Sequence, residues 1–280
     1  SESAPASVSI LSSDDGTNFT LRNEYTGLTW SNGEQKTFAV TGDSGGGEDP
    51  PPTGTTPAFN VQRGSAVISS GSASLTLAEG TDFTLTDGIA SDAWFARIVN
   101  NHHTGMGRTA SGGNQNADDV TVSLSYSGDD IVFTRYGTAN NCRVDWEVVE
   151  YIGADGGPNE FKVREKGTRA IASGSATDSF ALPGSVANSA DVIPFITGQR
   201  TSSTGRSNFN RGLFTSDISG GNFALNRGTS GSTAIVSYAV VEFTGSNWSI
   251  TKQSGDTRSG TNQTVTLNTA LSDFTKAWLH

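Results

Sequence analysis

Cys142–Gly153 reads CRVDWEVVEYIG, and Ala234–Gly245, ninety-two residues later, reads AIVSYAVVEFTG. Trp146, Val148, Val149, Glu150, Tyr151 and Gly153 answer to Tyr238, Val240, Val241, Glu242, Phe243 and Gly245. The match continues upstream without a gap, through Arg135 and Arg227 to Gly128 and Gly220, over 26 residues. A gap-free match of that length, in which residue character is kept, is an internal repeat. Within the first copy, Val144, Trp146 and Val148 alternate with Asp145 and Glu147, the period of a β-strand. Glu150 and Glu242 fall on the apolar side, where an unpaired carboxylate is very costly. The repeated arginines are the obvious partners. Structural ion pairs Arg135–Glu150 and Arg227–Glu242 are therefore expected.

Outward from this strand the rest of the unit repeats too. Phe59-Asn-Val61-Gln-Arg63-Gly64 opens the first unit, returns as Phe161-Lys-Val163-Arg164, and returns again, more faintly, as Trp248-Ser-Ile250-Thr-Lys252. The middle segment Ser91–Ile98, ending at Gly107-Arg108, matches Ser189–Ile196, ending at Gly205-Arg206. Residues 43–58, DSGGGEDPPPTGTTPA, form a Gly-rich and then Pro-rich linker. The expected plan is an N-terminal β element (1–42), the linker (43–58), β module 1 (59–158), β module 2 (159–247) and a partial repeat of closing strands (248–280). The fold class is all-β, with two tandem modules of β-sandwich or jelly-roll type. Short strands in 1–42 are expected at Val8–Leu11, Phe19–Arg22, Leu28–Trp30 and Thr37–Val40. The opening strand of each unit is expected to pack with the unit before it, so that the last 33 residues close a module or add to a sheet in another chain.

Composition agrees with many short strands and tight turns. Glycine is abundant (34 residues) and charged residues make up only 16% of the chain, whose net charge is −10. An acidic surface repels phosphate backbones, so nucleic acid is not expected as a partner. A single cysteine, Cys142, rules out an intrachain disulfide framework and reads as a small apolar filler. No run of 18 apolar residues offers a membrane span. The beginning, Ser-Glu-Ser, is expected of a processed or trimmed chain.

Few residues suggest chemistry. His102 and His103 are adjacent, and neighbours on an extended chain face opposite ways, which suits a solvated loop better than a metal. Together with Arg108 and Arg206, loop arginines that follow glycines, they form the candidate ligand loops. Trp94, Tyr136 and Trp278 are candidates to stack on sugar faces. The loop ending at Asp118-Asp119 is rich in oxygen ligands, so calcium is a minority reading, but it lacks the order of a calcium loop. Glu147 and Glu150 face opposite sides of one strand, and the second unit has Ala239 in place of Glu147. A carboxylate pair for glycoside hydrolysis is thus not expected.

Phe133-Thr-Arg135, Trp146-Glu-Val-Val-Glu-Tyr151 and Gly156-Gly-Pro-Asn-Glu-Phe161 together resemble the tandem β repeats of tailed-phage virion proteins of decoration or fibre type. Similar modules occur in repetitive bacterial surface proteins. The resemblance covers about residues 59–250 and brings no catalytic residues or cofactor with it. It implies a non-enzymatic structural protein of a virion or cell surface, assembled as a homo-oligomer or with other subunits and lying on the virion surface or extracellular. The alternative is an extracellular carbohydrate-binding module that recognises a cell-surface glycan. A polysaccharide-degrading enzyme ranks third.

Overall fold

A computed structural model describes residues 7–12, 20–26, 58–99, 108–109, 116–205 and 208–250. The chain divides into two compact units, Ser1–Gly54 and Thr55–His280. In the first, β1 (Ser7–Ser12) and β2 (Thr20–Thr26) pair as an antiparallel hairpin, with an irregularity between Ile10 and Leu11. The strands expected at 28–30 and 37–40 lie outside the described residues.

The second unit holds the repeat, and it is all-β. Its strands are β3 (Phe59–Ile68), β4 (Ser74–Leu77), β5 (Trp94–Ile98), β6 (Arg108–Thr109), β7 (Ser123–Ser127), β8 (Asp130–Thr134) and β9 (Cys142–Tyr151). The second copy supplies β10 (Lys162–Ile171), β11 (Thr177–Ala181), β12 (Val192–Thr201), β13 (Phe214–Ser219), β14 (Asn222–Arg227) and β15 (Ala234–Glu242). Helical structure among the described residues amounts to α1 (Ala117–Val120) and two 3-10 turns. Four antiparallel sheets result. Their strand orders are β3-β9-β5, with β6 also on β9, and β4-β8-β7, then β10-β15-β12 and β11-β14-β13. The two copies thus pair their strands in the same order, with the doubled strand central each time.

Each copy closes its own core between its two sheets. Trp94, Ile98, Leu124, Phe133, Val144, Trp146 and Val148 are buried in the first. Val192, Ile196, Phe223, Leu225, Val236, Tyr238 and Val240 are buried in the second. Every large side chain so buried contributes about 1.5–3 kcal/mol, which is what selects the alternation seen in the sequence.

Register gives the residue correspondence directly. Trp94 lies opposite Glu150 and Val192 opposite Glu242; Gly64 lies opposite Trp146 and Gly167 opposite Tyr238. Two expectations are corrected by it. Arg108 lies opposite Arg143, and the residue in that place in the second copy, opposite Ile235, is Arg200 rather than Arg206. The mismatch has a simple cause: nine residues (99–107) stand in the first copy where the second has three (197–199), so a gap-free alignment drifts out of step. Secondly, β10 pairs with β15 of its own copy, not with β9. The start of the second copy still packs on the first, through Phe161 and Val163.

The copies are joined by a buried, hydrogen-bonded junction. The edge formed by β5 and β7 rests against the outer face of the β10-β15-β12 sheet. The Leu124 amide donates to Ser237 Oγ at 2.7 Å, the Gln199 amide to the Val122 carbonyl at 2.8 Å, and the Thr201 amide to Thr121 Oγ1 at 3.0 Å. Beside this line Phe95, Phe161, Phe195, Val241 and Phe243 form a third buried cluster, shared by both copies. At Gly198 the backbones of the two copies lie close together: a Cβ there would stand 2.9 Å from the Leu124 nitrogen and 3.1 Å from the Val122 oxygen. Backbone cannot step aside as a side-chain tip can. Gly198→Val should therefore open the junction and leave each copy's own core intact. Calorimetry is expected to resolve two transitions where the parent shows one for residues 59–250; a single transition lowered by less than about 2 °C would count against a shared cooperative junction.

Candidate functional site

The repeated glutamates come first, because the sequence singles them out. Glu150 is fully buried, and its carboxylate accepts hydrogen bonds from Asn60 Nδ2 (2.6 Å), Gln62 Nε2 (3.2 Å) and the Thr86 amide (2.7 Å). Glu242 accepts from Arg164 Nε (2.6 Å) and from the amides of Ala187 and Asn188 (2.9 and 2.7 Å). In both copies the carboxylate pins the loop that leads into the third strand of the first sheet. The bonds satisfy its lone pairs away from water.

The expected pairs Arg135–Glu150 and Arg227–Glu242 are corrected. Arg135 donates to the carbonyls of Ser69, Ser72, Asp119 and Asn140. Arg227 donates to those of Ala172, Ser175, Arg211 and Ser232. Distance explains the miss. Arg227 ends, and Arg135 directly follows, the strand that turns into the doubled strand, and each glutamate lies eight residues beyond the doubled strand's start, roughly 26 Å at about 3.3 Å per residue. The arginine is left at the opposite end, among turn carbonyls. A planar guanidinium with five donors can tie several at once. Removing it strands several buried acceptors, each costing about 1–3 kcal/mol before water and relaxation recover part. Arg135→Met should thus cost about 3–5 kcal/mol in urea unfolding, and Arg135→Lys should recover less than half of it. A loss below about 1 kcal/mol for the Met variant would refute the stapling role.

The copies differ most on the outer face of the first sheet. In the second copy the middle row reads Lys166–Ala239–Phe195 across β10, β15 and β12, and the junction covers it. In the first copy the row is Arg63–Glu147–Arg97. Arg63 Nε lies 2.6 Å from Glu147 Oε2 and Arg97 Nη2 2.8 Å from Oε1; the Glu147 side chain is 5% exposed, Arg63 69%. Beside it Arg143 and Ser65 both bond Asp145. A groove of about 220 Å³ runs from these arginines along Val61, Val149 and Phe59 to Phe161 and Trp248. Trp248, which opens the faint third copy, donates from Nε1 to the Glu160 carbonyl at 2.9 Å and sits edge-on to Phe59 and Phe243. Cations beside apolar walls suit anionic or sugar-like ligands. The triad was not anticipated. Its signal was present as the change from Glu147 to Ala239, which marks an exposed face in one copy and a covered face in the other.

Lys166 is a half-buried cation of the junction. Its Nζ donates to the Trp94 carbonyl at 2.9 Å and lies 3.4 Å from the centre of the Trp94 ring and 4.7 Å from that of Tyr126. Burial pushes the ammonium down to about 7, against the opposing pull of Asp129 and Asp92. A lysine with a lower pKa in the fold than in the unfolded chain binds fewer protons when folded. Stability accordingly rises with pH between about 7 and the ordinary value of 10.5. Tyr126 and Tyr238 are raised by burial, which acts in the opposite sense only once the unfolded tyrosines ionise near 10. The parent's urea midpoint should climb between pH 6.5 and 9.5 and that of Lys166→Met should stay flatter; parallel curves would show that the ammonium stays charged throughout.

The other candidate residues are scattered or lie elsewhere. His102, His103, Arg206 and Trp278 lie outside the described residues. Arg108 is placed by its backbone in β6, opposite Arg143. Trp94 is buried under Lys166, whereas Tyr136 is 39% exposed, with the Arg200 guanidinium 4.6 Å from its ring centre. Asp119 is buried and binds the Ala139 amide and Asn140 Nδ2, both at 3.0 Å, so it anchors the turn before β9. Burial, then the Asp119 charge, raises the pKa of Asp118. Among the described residues no group of three or more metal-ligating side chains comes together. Cys142 is fully buried and its thiol is pushed up to about 12 by burial, the state of an inert filler. No helix of the described residues is long and apolar enough to cross a membrane. No protein-family model matches the chain, and no curated protein or solved structure matches it.

Proposed function

We propose that this chain is a non-enzymatic structural protein that displays a stiff pair of β modules on a virion or an extracellular surface. The observation that supports it is the junction. Two copies of one unit, held by hydrogen bonds from main-chain amides, a shared aromatic cluster and a half-buried lysine, form a rigid spacer rather than two mobile binding domains. The acid groups that the sequence raises as candidates for acid–base work are engaged in support: Glu150 and Glu242 pin loops, and Glu147 lies between two arginines. The linker of residues 43–58 separates this body from the N-terminal β element, the arrangement a tethered display module needs.

Glycan binding is a second reading, favoured by one feature: the groove that joins Arg63 and Arg97 to Phe59 and Trp248. One set of experiments addresses both roles. Immunogold microscopy of the producing cells, and of particles released from them, should place the chain on particle or envelope surfaces; labelling confined to the cell interior would overturn the display role. A glycan array should show no binding if display is the whole role. Binding that Arg97→Ala or Trp248→Ala abolishes would establish the second reading. Shortening of a polysaccharide, stopped by changing one carboxylate, would overturn both.

A further inference from the structure

Each first sheet has a ten-residue opening strand at its edge, β3 in one copy and β10 in the other. An edge strand offers a row of unpaired N–H and C=O groups, and natural sheets blunt such edges with bulges and charge. β10 is blunted in both ways. Its register breaks between Val163 and Glu165, and it carries Lys162, Arg164, Glu165, Lys166 and Arg169. β3 is not. It pairs with β9 over ten consecutive residues without a shift, it contains no proline, and Arg63 is its one charged residue. Among the described residues no strand pairs with its free edge. Val61 and Val67, 40% and 42% exposed, are two of the three large apolar side chains standing in solvent among the described residues, and both lie on its outer face.

Their spacing fits a second copy of the same strand. Val61 and Val67 stand three residues either side of Gly64. Two β3 strands running antiparallel about a two-fold axis at Gly64 would therefore set each Val61 directly opposite the other copy's Val67. Gln62 would face Ala66, and Arg63 would face Ser65. Across the extended sheet the central row would read Glu147, Arg63, then Ser65 and Asp145 of the second copy, with no like charges opposed; Ser65 and Asp145 are already bonded at 2.7 Å within one chain. Gly64 itself is fixed by the strand behind it, since any Cβ there would collide with the Trp146 indole. We infer that this protein forms an isologous dimer in which β3 pairs with β3 of a second copy, Val61 against Val67, joining two first sheets into one. The interaction is β-augmentation with a copy of the chain itself, and the self-complementary pattern is what a two-fold interface requires. It stands whether or not the chain has the display role proposed above.

Sedimentation equilibrium of the full chain over a concentration series tests it, with three variants. The parent should be a dimer. Val61→Lys with Val67→Lys opposes like charges at both pairs and should give a folded monomer with a cooperative melt, its midpoint below the parent's only by the increment that dimerisation adds, because both side chains are exposed. Val61→Lys with Val67→Glu opposes unlike charges in the same register and should restore a salt-sensitive dimer. Val61→Cys with Val67→Cys, oxidised mildly, should link position 61 of one chain to position 67 of the other; Cys142 is buried and does not compete. A parent that stays monomeric, a dimer that survives the two lysines, or links only between like positions would overturn the inference. A monomer whose β3 amides resist hydrogen exchange would overturn it as well, by showing that another segment of the same chain covers the edge.

Discussion

A central strand is flanked on both sides, so what it carries on its two faces decides what the sheet can touch. β15 is buried along nearly its whole length and on both faces. Val236, Tyr238 and Val240 face the core of their own copy, while Ser237, Ala239 and Val241 face the first copy. Small residues on that outer face are the condition for the junction. Ser237 is short enough to receive the Leu124 amide, Ala239 clears room for Phe195 and Lys166, and Gly198 admits the backbone of the first copy. β9 has the same inner face but carries Asp145 and Glu147 outside, each held by arginine. One repeated strand thus gives an acceptor surface in one copy and a charged surface in the other. That single difference orders the pair and sets where solvent begins.

The polar interior follows the same economy of placement. Buried charge is tolerated only where every lone pair or N–H finds a partner, and each copy solves this with an acid at one end of its sandwich and an arginine at the other. The acid draws in amides, the arginine draws in carbonyls, and each locks the loops around it. The two never meet. This division also accounts for the recurrence of both residues while their neighbours vary: the arginines hold main-chain carbonyls, and each glutamate takes at least one main-chain amide of the loop it pins, groups that do not change with sequence.

Much of this was legible in the sequence, and the limits are instructive. The repeat, the all-β class and the inward glutamates all follow from period-two alternation and the ninety-two-residue offset. Arg135 and Glu150 are matched because both recur at the same offset, yet recurrence says nothing of position along a sandwich, and their separation emerges only when residues are counted through the turn between them. Arg108 was matched to Arg206 because both follow glycine; the pairing of strands assigns it to Arg200, since the insertion at 99–107 is invisible to motif matching. Glu147 was weighed only as a catalyst and set aside because Ala239 replaces it. Physically that replacement marks the surface at which the two copies diverge.

Divergence between copies of one unit is informative because the shared fold is held fixed. Where both copies keep a residue type, as at Arg135 and Arg227 or Trp146 and Tyr238, the requirement is internal. Where they part, the surroundings decide. Lys166 keeps a cation where Arg63 has one, but turns it under two aromatic rings, because the outer face it lies on is covered. The opening strands diverge in the opposite sense. β10 acquired a bulge, whose extra residue, Arg164, reaches back to Glu242; β3 stayed regular and kept two valines in water. A bulge costs hydrogen bonds, so its presence on one edge and absence from the other is a difference in what each edge must exclude. The second copy's edge is built to stay unpaired. The first copy's edge carries no such device.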